Sequence, residues 1–180
     1  EWLRMGQRGT FETNWTWNRL QREFPDYKKS DIGHLFYVFD FKFSGEHRVR
    51  LVFDGSRQSP STYDETYAPT ARQESVRLFH IVLVEDGYFL GQYDVPQAFL
   101  LATIDKDIFV YPPKGQSEFP GQILKLHKAL YGGKQSAYLW FNLMNTFILE
   151  LGFEPSPLDS CFYKRHDAIL ILYCDDLRIG

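Results

Sequence analysis

The chain has 180 residues, 44% hydrophobic and 24% charged, an ordinary globular balance that excludes general disorder. No apolar run reaches the roughly 18–20 residues needed to cross a bilayer, Glu1-Trp2-Leu3-Arg4 lacks the layout of a secretory signal, and two cysteines are too few for a disulfide framework or structural zinc site. Net charge is −3, but residues 1–57 carry ten Lys/Arg against eight Asp/Glu and the remainder ten against fifteen, which is no basic sheath for nucleic acid but does suit an acidic site neutralised by a metal ion.

Residues 1–30 show weak periodicity, with Trp15-Thr16-Trp17 as their anchor. From 33 to 53, Leu35, Tyr37, Phe39, Phe41 and Phe43 alternate strictly, Ser44-Gly45-Glu46 breaks the run, and 49–53 resumes it. This predicts a β-hairpin. The stretch 54–72, rich in Ser, Pro, Asp and Thr, reads as a long loop. Val76, Phe79, Ile81, Val82 and Leu83 recur at helical spacing over 73–86, with Gly87 in the C-terminal cap position. Residues 88–95 return to strand, 108–111 form a short strand stopped by Pro112-Pro113, and 122–126 form another. Trp140, Leu143, Met144, Phe147, Ile148 and Leu151 mark a second helix over 136–151, closed by Gly152. Strands follow at 161–163 and 168–174, the latter so apolar that both faces are expected to be buried. The sum is an α+β fold, a mainly antiparallel sheet backed by two helices.

Asp175-Asp176 directly follows the apolar run 168–172. An unpaired buried carboxylate is expensive and two neighbours repel. Two readings remain open: a solvent-exposed hairpin turn, where Asp is common, or a metal site whose cation offsets the repulsion. Asp94 ends another apolar strand, after Tyr88, Phe89 and Leu90. Were the two strands neighbours, Asp94 would converge with the pair. Three carboxylates at one sheet edge suit two Mg²⁺ ions about 3.5–4 Å apart, the clamp of in-line phosphoryl displacement.

In chain order, Tyr93-Asp94-Val95-Pro96-Gln97-Ala98-Phe99-Leu100, Lys128-Ala129-Leu130-Tyr131-Gly132-x-Lys134-Gln135, Leu151-Gly152-Phe153 and Tyr173-x-Asp175-Asp176 resemble the reverse transcriptase of a copia-type LTR retrotransposon polyprotein. Arg50-Leu51-Val52, Tyr63-Asp64-Glu65-Thr66-Tyr67-Ala68-Pro69, Ala71-Arg72-x-Glu74-Ser75, Tyr111-Pro112-Pro113-x-Gly115 and Asp159-x-Cys161 extend the likeness to about residues 30–180. It implies an RNA-directed DNA polymerase, a nucleotidyltransferase with right-hand fingers (approximately 1–76 and 103–135) and palm (approximately 77–102 and 136–180), truncated before the thumb.

By that resemblance Asp94, Asp175 and Asp176 are the catalytic carboxylates. With the main-chain carbonyl of Val95 they hold two Mg²⁺ ions, or Mn²⁺ in their place. The amides of Gln97 and Ala98 hold the triphosphate; Pro96 has no N–H to offer. Phe99 takes the place of the sugar gate that excludes a ribose 2′-OH, where simple core packing is the other reading. Arg48 and Arg50 approach the incoming triphosphate, or are solvated strand charges. Tyr131, Gly132 and Lys134 flank the nucleotide, Gln135 the template base, and Tyr173 and Cys174 the primer end. The implied partners are dNTPs, an RNA or DNA template with primer, and the rest of the polyprotein (thumb, RNase H, integrase), with no membrane. The implied location is intracellular, cytoplasmic or within a virus-like particle.

The sequence departs from the family at Gly133, where a larger apolar residue is usual, and at Ser136-Ala137-Tyr138, in place of Ala-Pro-Arg. Asp54 replaces a lysine, and Arg178 an apolar strand residue. None of these removes a metal ligand. Two rival readings are a non-catalytic remnant keeping the fold and nucleic-acid binding, and an unrelated metal-dependent phosphohydrolase. The latter explains the acids but not Tyr131-Gly132-x-Lys134-Gln135 or Phe99.

Overall fold

A computed structural model describes residues 2–180, which cluster into two units: residues up to Thr66 with Phe99–Leu139, and Tyr67–Ala98 with Trp140–Gly180. In the first unit the weakly patterned opening carries helix α1 (Trp2–Gln7), strand β1 (Phe11–Trp15) and helix α2 (Trp17–Glu23), none of them predicted. Short elements like these depend on caps and neighbours rather than on periodicity. Thr16 Oγ1 accepts from the Arg19 amide at 3.3 Å, satisfying one of the orphan donors at the start of α2. The Arg19 guanidinium lies 3.8 Å over the Trp15 ring and pairs with Glu23 one turn on. Trp15 is buried and meets Phe109 nearly edge-on at 4.9 Å, anchoring the segment.

The predicted hairpin is β2 (Gly33–Phe41) and β3 (His47–Phe53), in register from Leu35↔Phe53 to Phe41↔His47. Its turn uses Gly45 at φ +83°. With β5 (Phe109–Tyr111) and β6 (Ile123–Leu126) the sheet order is β1-β6-β5-β2-β3, antiparallel except between β2 and β5. Leu35, Leu51, Phe53, Val110, Leu124 and Leu126 form its core. The alternation over 35–43 suggests one buried face, yet Phe39 and Phe41 on β2, and Phe43 just past it, are exposed. The reason is that β5 pairs only with Gly33 and His34, so the hairpin runs on past the sheet that would cover it.

In the second unit, helix α3 (Gln73–Glu85) buries Phe79 and Leu83 against Ile169 and Ile171. The sheet order is β4 (Gly91–Asp94), β10 (Asp176–Ile179), β9 (Ala168–Tyr173), β8 (Asp159–Arg165) and β7 (Glu154–Ser156), antiparallel throughout. β9 is the central strand, which is why 169–172 are buried as well as apolar. Helix α4 (Ser136–Glu150), most of which lies in this unit, buries Trp140, Met144 and Ile148 at four-residue spacing and stops at Gly152, φ +83°.

The α+β class and the mainly antiparallel pairing match the sequence reading. Two details differ: the described residues hold two five-stranded sheets and four α-helices rather than one sheet and two helices. Residues 88–90 are also not strand. Asp86 and Tyr88 donate back to the carbonyls of Val82 and Leu83 around Gly87, so this stretch closes α3 and pairing begins only at Gly91.

Candidate functional site

Strands β4 and β10 are neighbours, and their register sets Asp94 directly opposite Asp176. Residues facing one another across an antiparallel pair share a sheet face. Asp176 is in turn opposite Tyr173 on β9, leaving Cys174 and Asp175 as a two-residue hairpin loop. The Asp175 carbonyl accepts from the Val95 amide at 3.0 Å, and Trp140 Nε1 donates to the Cys174 carbonyl at 2.9 Å. These two bonds hold the loop from either side. Cys174 has φ +56°, in the left-handed region that favours glycine and that hairpin loops of this length require. Partial burial, and then the Asp175 carboxylate, push its thiol up.

Asp94 is exposed, while Asp175 and Asp176 are half-buried. Beside them a cavity of about 430 Å³ is lined by Ala71, Gln73, Val76, Ile171, Tyr173, Asp176 and Arg178. Arg178 Nη1 approaches His80 Nε2 at 3.4 Å, with His80 Nδ1 bonded to the Val76 carbonyl at 2.7 Å. Among the described residues, no three His, Cys, Asp or Glu side chains gather as a metal-holding group. The donors themselves are hard oxygens, the type Mg²⁺ takes, and backbone register keeps all three carboxylates at one end of β4, β9 and β10.

Val95 is half-buried and Ala98 buried, opening a short 3₁₀ turn (Ala98–Leu101), and Gln97 has φ +58°. The other sequence-predicted residues fall in the first unit. Arg48 is exposed on β3, opposite Asp40, and Arg50 lies 3.7 Å from the Asp40 carboxylate. Phe99 packs edge-on to Tyr131 at 4.9 Å. Tyr131 accepts from the Phe53 amide at 2.8 Å. Gly132, at φ +87°, sits so close to the Phe53 carbonyl that a Cβ would collide with it. Lys134 Nζ donates to Tyr63 Oη at 3.0 Å.

Gln135, read as a template contact, is wholly buried, with both ends of its amide bonded inside the protein. Two residues that bear on the site had no recognisable sequence signal. Trp140 reads as one more apolar helix position, and Gln58 as one more polar residue in a loop.

Residues 21–180 match the reverse transcriptase (RNA-dependent DNA polymerase) family. The chain belongs to that family. This reverse transcriptase segment is 31% identical over 155 residues to the retrovirus-related Pol polyprotein from transposon RE1 of Arabidopsis thaliana, covering 79% of the chain and 11% of the polyprotein. Its likeness to the RE2 polyprotein of the same plant is 30% over the same coverage. To the transposon Ty1-DR4 Gag-Pol polyprotein of Saccharomyces cerevisiae it is 27% identical over 162 residues, covering 86% of the chain and 10% of the polyprotein. The chain thus spans about a tenth of the length of these relatives. Among the described residues of this reverse transcriptase segment, no helix is long and apolar enough to cross a membrane.

Proposed function

We propose that this chain is the fingers and palm of an RNA-directed DNA polymerase from a retrotransposon polyprotein, adding dNTPs to a primer 3′-OH. The observation that carries the reading is the placement of Asp94 opposite Asp176 at the strand end where Asp175 turns the hairpin. Asp94, Asp175 and Asp176, with the Val95 carbonyl, hold two Mg²⁺ or Mn²⁺ ions, which when bound supply charge neutralisation and Lewis-acid assistance to in-line displacement. The primer 3′-oxygen bonds to the α-phosphorus while the bond to the bridging oxygen breaks. Pyrophosphate leaves with that electron pair, and the hydroxyl proton passes to solvent.

Catalysis of this kind is mostly positioning and electrostatics. Arg48, Arg50 and Lys134 are the cations for the triphosphate, and the amides of Gln97 and Ala98 are its neutral donors. Phe99, held edge-on by Tyr131, is the ring that excludes a ribose 2′-OH, with Gly132 allowing close backbone approach. Tyr173 and Cys174 meet the primer end. The template–primer and the other polyprotein domains (thumb, RNase H, integrase) are the partners, inside the cell in the cytoplasm or a virus-like particle.

The test is primer extension on poly(rA)/oligo(dT) with Mg²⁺, using this chain and a longer one in which it is joined to a thumb domain, each beside Asp175→Asn. Extension by the longer chain that is abolished in Asp175→Asn and by chelation is expected. A longer chain that folds and binds template–primer yet adds no nucleotide would overturn the polymerase reading in favour of a non-catalytic remnant.

A further inference from the structure

The buried position of Gln135 points to a structural use for it. Its Nε2 donates to the Thr62 carbonyl at 2.9 Å, and its Oε1 accepts from Gln58 Nε2 at 2.8 Å. Gln58 Oε1 in turn accepts from the Lys134 main-chain amide at 2.9 Å, and Gln58 Nε2 also reaches Thr62 Oγ1 at 3.2 Å. The Thr62 hydroxyl donates onward to the Ser59 carbonyl at 2.7 Å. Gln58, Thr62 and Gln135 are 5%, 2% and 0% exposed, so the bonds are sheltered from competing water.

The relay has a single self-consistent direction. The Lys134 N–H can only donate and the Thr62 carbonyl can only accept, so each glutamine amide between them has one allowed orientation. This ties the turn 131–135 to the loop 54–62, which is remote in sequence. The Phe53 amide bond to Tyr131 and the close approach of Gly132 to Phe53 seal the same junction.

We propose that Gln58 and Gln135 are positioning residues: a buried amide clasp that sets the backbone of Lys134 and, beside it, Tyr131 for the incoming nucleotide, while touching no substrate. The proposal rests on the polymerase reading for what is positioned, but the clasp itself can be read without catalysis.

The experiment uses Gln135→Met, Gln58→Met and the double variant in the thumb-containing chain. It follows amide hydrogen exchange over 131–136, Kd for a poly(rA)/oligo(dT) duplex, and the KM for dTTP against kcat. Gln135→Met strands one end of the Gln58 amide and the Thr62 carbonyl, and Gln58→Met strands the Gln135 amide oxygen and the Lys134 N–H; the double variant removes both side-chain amides and leaves two main-chain groups, the Lys134 N–H and the Thr62 carbonyl, to find new partners. Expected in the single variants are a loss of Lys134 amide protection of about tenfold, a several-fold rise in dTTP KM with kcat little changed, and an unaltered duplex Kd. The double variant, which keeps the fold, shows the same KM rise.

A weakened duplex Kd with Lys134 protection intact would make Gln135 a template contact and overturn the proposal. So would unchanged exchange in all three variants. If the wild-type chain adds no nucleotide, the exchange arm still decides whether the clasp exists, and the polymerase reading fails separately.

Discussion

Cys174 stands at φ +56° between the apolar strand β9 and Asp175. A side chain in the left-handed region carries about 1–2 kcal/mol of steric penalty, and glycine has none. Cys174→Gly is therefore expected to raise stability by about 1 kcal/mol after its extra unfolded-chain entropy, a gain of about 2–4 °C in Tm for a chain of this size. Thermal unfolding checks it; a fall in Tm would mean that the thiol contributes packing which outweighs the strain. Asp175 is the next residue, and its loss is expected to remove extension while leaving the fold intact. Its main chain, through the carbonyl bonded to Val95, holds the loop with or without the carboxylate. Circular dichroism beside the primer-extension assay separates these two roles.

At the scale of elements, the start of α3 is held by a residue far along the chain. Asp159, buried at the start of β8, accepts from the amides of Arg72 at 2.9 Å and Cys161 at 2.9 Å. Burial alone would push its carboxyl up. The hydrogen bonds from Ser75 and those two amides, with the Arg72 charge, outweigh burial and hold it below the ordinary carboxylate range. The sign follows: a depressed folded-state pKa stabilises above the unfolded value of about 3.9 and stops doing so as pH falls through the folded value. Asp159→Asn is expected to lower stability by about 1.5–3 kcal/mol at neutral pH, the range for hydrogen bonds to a charged group. The gap between variant and wild type should hold constant from about pH 7 to 5 and close below about pH 4. Urea unfolding across that range measures it, and a pH-independent gap would assign the effect to shape rather than charge.

Over the whole molecule, the first unit is organised around Leu35, Leu51, Phe53, Val110 and Leu124, the second around Phe79, Leu83, Ile169 and Ile171. Phe79 is fully buried, so Phe79→Ala is expected to cost about 3–5 kcal/mol, read as a lower urea midpoint by circular dichroism. A smaller loss would mean that the surrounding side chains collapse into the space. The helices α3 and α4, the β2–β3 hairpin and the buried strand β9 were all legible from the residues, because period and end signals such as Gly45, Gly87 and Gly152 are local. The ordered motifs from Tyr93 to Asp176 carried the family for the same reason: residue order survives without a structure. Local pattern could not show that 88–90 closes a helix instead of pairing, or that Phe39, Phe41 and Phe43 extend past the covering strand. By itself, then, the sequence determined the β2–β3 hairpin, helices α3 and α4, the buried strand β9 and the family, and singled out the three acids. Only the tertiary structure decided that Asp94 faces Asp176 and that Gln135 turns inward to Gln58, because both depend on which distant strands and loops become neighbours, and burial and strand register settle that across the whole chain.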